Sequence, residues 1–113
     1  MLKNEASPKS EMEFIPAEEK DYEQLWQWRN DVVIRNALGG FAMSWIDFQD
    51  SISKKNPQLI RRDGLDIGYL TFTQMEDGVV RIFFGIDSGY RRQGFGSEVI
   101  EKITKKTIWH ATY

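Results

Sequence analysis

Apolar residues along the chain switch between two periods, and the switches outline a fold. Met12, Phe14 and Ile15 predict a short strand that ends at Pro16. From Glu18 to Arg29 the period becomes helical: acids fill the first turn, and Tyr22, Leu25, Trp26 and Arg29 recur at helical spacing. Val32 to Leu38 extends this by a turn or two before Gly39-Gly40 breaks the chain. Ser44 reads as the N-cap of a second helix carrying Trp45, Phe48 and Ile52 on one face, closed by Asn56-Pro57. Three strand-like runs follow, Gln58–Asp63, Ile67–Gln74 and Val79–Asp87. They are separated by Asp63-Gly64 and Glu76-Asp77-Gly78, which are reversal signals. Together they predict an antiparallel meander. Ser88–Gln93 is a turn, Gly94–Lys106 an amphipathic helix with Phe95, Val99, Ile100 and Ile103 inward, and Thr107–Tyr113 one more strand. The expected fold class is α+β, in the order β-α-α-β-β-β-α-β.

Composition narrows what such a domain does. The chain has 113 residues, 41% of them hydrophobic, which suits one domain of roughly 100–150 residues. Residues 1–11 are polar and acidic and are expected to form a disordered leader, leaving 12–113 as a single domain. The absence of Cys removes disulfides, thiolate nucleophiles and Cys-based metal sites, and one His argues against a His-rich metal centre. No apolar run is long enough for an export signal or a membrane span, so a soluble cytoplasmic protein is expected. Charge is uneven. Residues 1–24 carry seven acids and three bases, and residues 81–113 carry six bases and three acids, on a whole-chain net of −2. That basic third has no interleaved aromatics, so nucleic acid is not the expected partner.

The segment Tyr90-Arg91-Arg92-Gln93-Gly94-Phe95-Gly96-Ser97 follows a strand and opens a helix. As a dinucleotide fingerprint it fails, because Val99 stands where the third glycine is needed and the parallel βαβ setting is missing. As a phosphate loop starting at Gly89 it also fails, because Phe95 replaces the lysine. What remains is a helix start whose first N–H groups lack partners inside the helix. Gly94 and Gly96 leave that backbone unshielded, and Arg91 and Arg92 add charge at the mouth. Such a turn suits a pyrophosphate.

Arg91-x-x-Gly94-x-Gly96 after Ile86-Asp87-Ser88-Gly89-Tyr90 resembles the acetyl-coenzyme A motif of the GNAT N-acetyltransferases. The upstream order of elements is similar too. Trp28-Arg29-Asn30-Asp31 followed by Arg35 resembles the first-helix signature of the ribosomal-protein and amino-sugar acetyltransferase branch. The resemblance covers Met12 to Tyr113. It implies a GNAT-like, mostly antiparallel sheet with helices on both faces, and acetyl-coenzyme A as cosubstrate. The backbone of Phe84 and Ile86 would pair with the pantetheine arm. The backbone of Arg91, Arg92, Gln93, Gly94, Phe95, Gly96 and Ser97 would hold the pyrophosphate. Relatives carry a bulge in the strand before the turn; Gly85 suits such a bulge or is a plain packing glycine.

The implied reaction is direct acetyl transfer to a primary amine, from a small molecule or a protein N-terminus. A general base would free the amine, and backbone N–H groups would polarise the thioester. Arg81 stands where relatives often carry glutamate, and an arginine cannot act as a base. Asp87 and His110 are the remaining catalytic candidates, His110 because its expected strand would run beside the cleft. The family fold continues with another helix and two strands. The chain therefore reads as a C-terminally truncated acetyltransferase whose uncovered edge strand, Thr107–Tyr113, would be covered in a homo-oligomer such as a dimer. The alternative is a catalytically incomplete coenzyme-binding or structural remnant.

Overall fold

Two tight reversals organise the sheet. Asp63 and Gly64 both take positive φ (54° and 81°), the conformation of a two-residue hairpin whose twist matches its strands. Gly78, at φ 76°, makes the second reversal, where the Met75 N–H donates to the Val79 carbonyl at 2.7 Å. The computed structural model describes residues 11–111. Within them β1 (Met12–Pro16), β2 (Gln58–Arg62), β3 (Leu65–Gln74) and β4 (Val80–Ile86) form one antiparallel sheet, in the order β1-β2-β3-β4.

Helices cover both faces. After a 3-10 turn at Glu19–Asp21, α1 (Tyr22–Arg29), α2 (Val32–Ala37) and α3 (Trp45–Ile52) lie on one side, and α4 (Phe95–Ala111) lies on the other. Strand alternation serves both layers. Leu59 and Tyr69 join Leu25, Trp28, Ile34, Phe48 and Ile52 in one core. Their neighbours Ile60 and Leu70 join Met12, Ile67, Ile86 and Val99 in the other. Side-chain N-caps start two of the three helices on the first side. The Ser44 hydroxyl accepts from the Asp47 N–H at 3.2 Å, as its position predicts, and Asp31 caps α2 through the amides of Val33 and Ile34.

The α+β class holds, with one antiparallel sheet, but four details depart from expectation. The first helical stretch is divided, with Asn30 and Asp31 between α1 and α2. At the other end, residues 107–111 continue α4 and do not form a strand. Thr107, Ile108 and Trp109 have strand-prone side chains, yet no Gly or Pro follows Gly96 to stop the helix. Extending a formed helix by one residue costs far less than starting a new element. The edge strand expected to carry self-association is therefore not formed there. Third, Ile100 is 55% exposed, one helical step off the inward line of buried Val99 and half-buried Ile103. Finally, β4 carries no bulge against β3: the register runs unbroken from Gly68↔Ile86 to Gln74↔Val80, and the irregularity lies instead between Ile60 and Arg61. Gly85 is a packing glycine, since a Cβ there would stand 2.6 Å from Ile34 Cδ1. The expected leader, except for Glu11, and Thr112 and Tyr113 of the expected strand fall outside the described residues. No helix among the described residues is long and apolar enough to cross a membrane.

Candidate functional site

Where β4 ends, the chain turns through eight residues, 87–94, into α4, and the turn is built from local hydrogen bonds. Asp87 begins a short 3-10 turn, Ser88–Tyr90, by accepting from the Gly89 N–H at 2.7 Å. Arg92 and Gly94 then take positive φ (64° and 84°). Glycine adopts that region freely, whereas arginine there is strained and persists only where its surroundings hold it. The helix ladder opens with Glu98 N–H to the Gly94 carbonyl at 3.2 Å. The N–H groups of Phe95, Gly96 and Ser97 precede that first bond, at the positive end of a 17-residue helix.

Side-chain space at the two glycines is open. A Cβ on Gly94 would meet nothing within 4 Å, and one on Gly96 would meet only the Phe84 ring, at 3.9 Å. Glu98 is the carboxylate in this first turn, and it is paired with Arg62 (Nε to Oε1, 3.3 Å). The Arg62 guanidinium also lies 5.5 Å from the Phe95 ring centroid. Bare glycine backbone, unpaired amides and a neutralised acid are a donor set suited to a diphosphate.

The outer edge of β4 leads into this turn. Asp87 N–H donates to the Ile67 carbonyl at 2.7 Å, which makes 67/87 a hydrogen-bonded pair. In an antiparallel ladder such pairs alternate, so Gly85 and Phe83 bond to β3. Ile82, Phe84 and Ile86 consequently aim their N–H and C=O groups away from β3, along the side where β4 ends the sheet. One of these groups is taken: Arg91 Nε donates to the Ile86 carbonyl at 2.9 Å.

The expected residues thus divide into groups. Phe84, Ile86, Gly94, Phe95, Gly96 and Ser97 converge, since the Phe84 ring faces Gly96 and the outward backbone of β4 continues into the turn. Arg92 and Gln93 are exposed on the turn, with Gln93 Nε2 reaching the Gly89 carbonyl at 3.4 Å. Arg91 does not offer its charge at the mouth. Its guanidinium turns inward, to the Ile86 carbonyl and to Asp31 Oδ1 at 2.8 Å.

Neither catalytic candidate stands as expected. Asp87 spends both oxygens, Oδ1 on the Gly89 N–H and Oδ2 on Trp28 Nε1 at 2.7 Å, so it serves as a brace. His110 lies in helix, not strand, and its side chain is outside the described residues. Fifteen residues of helix put its backbone about 22 Å along the axis from Phe95. Among the tryptophans, Trp28 stacks on Tyr69 (centroids 6.2 Å, 3° between planes), and Trp26 meets Trp45 at 5.4 Å while donating to the Met43 carbonyl. These rings are core.

Sequence reasoning quoted Asp31 and Trp28 within a signature but assigned them no task. Asp31 had one readable signal, an acid immediately before the apolar run Val32-Val33-Ile34, which marks an N-cap. Partial burial works against its ionisation. The hydrogen bond from Arg91, the amides of Ile34 and Val33 and the Arg91 charge outweigh that and hold its carboxyl below the usual value.

An open groove of about 490 Å³, lined by Glu19, Tyr22, Ile46, Gln49, Asp50 and Ser53, contains none of the turn residues. Its lining comes from the first 3-10 turn, α1, α3 and Ser53, with no strand residue. A scan of protein-family models and searches of curated proteins and of solved structures return no match to this chain.

Proposed function

We propose that this chain binds acetyl-coenzyme A at the β4–α4 turn and transfers its acetyl group to a primary amine, as a GNAT-like N-acetyltransferase. One observation carries this: the outward-facing backbone of Phe84 and Ile86 runs directly into a glycine-lined turn with unpaired amides at Phe95, Gly96 and Ser97. An elongated ligand with amides at one end and a diphosphate at the other matches that sequence of donors and acceptors.

The chain's own groups would act in order along the ligand. Amides of Phe95 to Ser97 bind the diphosphate. The outer groups of Phe84 and the Ile86 N–H pair with the extended arm like an added strand. An N–H on the same edge polarises the thioester carbonyl as charge develops on its oxygen. The acceptor amine must shed its proton before attack. As its nitrogen bonds the acetyl carbon, the thioester C–S bond breaks and coenzyme A leaves as a thiolate that takes up a proton. Holding both reactants in line supplies much of the acceleration. The acceptor is a small-molecule amine or a protein N-terminus.

A second reading has its own support. Asp87 is fully engaged and Arg81 stands within β4 itself, so the edge of β4 presents no carboxylate poised as a base among the described residues. A coenzyme-binding protein without transfer activity would look like this. Calorimetric titration with acetyl-coenzyme A tests binding, and a thiol-release assay over a panel of amines separates the two. Binding with thiol release proportional to amine supports transfer; binding without release supports the second reading; no binding removes both.

A further inference from the structure

Two hydrogen bonds between residues some sixty positions apart in sequence meet the turn at its two shoulders. Trp28 Nε1 reaches Asp87, just before the 3-10 turn, and Asp31 reaches Arg91, just after it. Both anchors are themselves held in place. Trp28 is buried and stacked on Tyr69, and Asp31 is held by the first amides of α2, whose Ile34 fills the space over Gly85.

We propose that Trp28 and Asp31 are positioning residues, a two-point clamp that holds the amides of Phe95, Gly96 and Ser97 in register with the edge of β4. The proposal rests on the coenzyme reading for its ligand, but the clamp itself is a property of the free protein. Three observations favour it over ordinary packing. The clamp brackets the 3-10 turn, Ser88–Tyr90, just upstream of the amides, and touches neither those amides nor the edge groups of Phe84. Arg92, next to Arg91, holds a left-handed conformation that a loose turn would abandon. Arg91 also bridges the two parts of the site: one guanidinium ties the turn to Asp31 and occupies the Ile86 carbonyl. An extended ligand can therefore pair with Phe84 and with the Ile86 N–H, and must leave the strand there, where the turn begins.

The test compares wild type with Asp31→Asn and Trp28→Phe. Asparagine still accepts from the Val33 and Ile34 amides, so α2 keeps its cap while the charge facing Arg91 is lost. Phenylalanine keeps a ring over Tyr69 and lacks only the indole N–H. Nitrogen-15 relaxation gives backbone order parameters in the ligand-free proteins, and calorimetry gives the Kd for coenzyme A. In both variants the order parameters of Arg92–Ser97 should fall from about 0.85 toward 0.6 or below, while those of the β2–β3 ladder stay unchanged. If the converged turn drops to about a fifth of the molecules, Kd rises about fivefold, because apparent affinity scales with the competent fraction. Unchanged order at the turn in both variants overturns the clamp, even if thermal stability falls. Should wild type bind no coenzyme A, the coenzyme reading fails and the order parameters alone decide the clamp.

Discussion

Gly96→Ala separates what the fold needs from what the ligand needs. Gly96 is the second residue of α4, in helical conformation, and a Cβ there would meet only Phe84 Cε2, at 3.9 Å, an ordinary van der Waals contact. Nothing in the free protein requires glycine. Replacing it with alanine removes backbone entropy from the unfolded chain and improves helix propensity, together worth roughly 0.5–1 kcal/mol of added stability. For a chain of this size that is about 2–6 °C in melting temperature. The same methyl group stands beside the unpaired amides and limits how closely an anion approaches them. Gly96→Leu extends the obstruction without breaking the helix. Thermal denaturation and calorimetric titration with coenzyme A are run on both variants. Gly96→Ala should melt higher than wild type while binding weaker, and Gly96→Leu should lose at least tenfold in affinity, about 1.4 kcal/mol. A destabilised Gly96→Ala would refute the open space above the helix start, and wild-type affinity in Gly96→Leu would refute the anion site.

Other expected outcomes follow from single contacts. Gly85→Ala pushes a Cβ to 2.6 Å from Ile34 Cδ1 and should cost about 1–3 kcal/mol in urea denaturation. Adding Ile34→Val, which deletes that Cδ1, should recover part of the loss, and simple additivity of the two would exclude the clash. Asp31 has a depressed folded-state pKa, so its ionic contribution is complete above the unfolded carboxylate pKa and disappears as pH falls through the folded one. The stability difference between wild type and Asp31→Asn should therefore be about 1 kcal/mol at neutral pH and close toward zero in strong acid; a gap independent of pH would place the effect elsewhere. Leu25→Ala, at a side chain with 0% exposure, should cost about 2–5 kcal/mol by chemical denaturation. Gly64→Ala, at φ 81°, should cost about 1–2 kcal/mol and leave coenzyme binding unchanged.

What was legible in the sequence is what depends on near neighbours. The Asp63-Gly64 reversal, the Ser44 cap and the glycine-lined helix start are each specified within about four residues, and all three stand in the structure as read. Misreadings arose where local preference and longer-range constraint disagree. Thr107-Ile108-Trp109 has strand composition, but its conformation is decided by the uninterrupted helix before it. Gly85 suits a bulge or plain packing on local grounds, and Ile34, some fifty residues earlier in the chain, decides for packing. Asp87 was a reasonable base on composition, and only the arrival of Trp28 from the opposite layer shows its carboxylate to be occupied.

The same distinction applies inside the site. Amides that can meet a diphosphate are created by the backbone of a short local turn, so many unrelated sequences could present them. Their distance and direction from the edge of β4 are a different matter, because the turn alone has no means of fixing them. In this chain that relation is set through Trp28, Asp31 and Arg91, none of whose side chains the ligand need touch. Affinity should then respond to substitutions in α1 and at the start of α2 as strongly as to most in the turn itself. The residues of the Trp28-Arg29-Asn30-Asp31 segment share that logic. Asn30 pairs with both backbone groups of Met43, and Arg29 bonds the Phe41 carbonyl, so the segment pins the loop before α3 while its outer members pin the turn. A short polar signature in a helix-to-helix corner is thereby explained as wiring between layers, without assigning any of its side chains to chemistry.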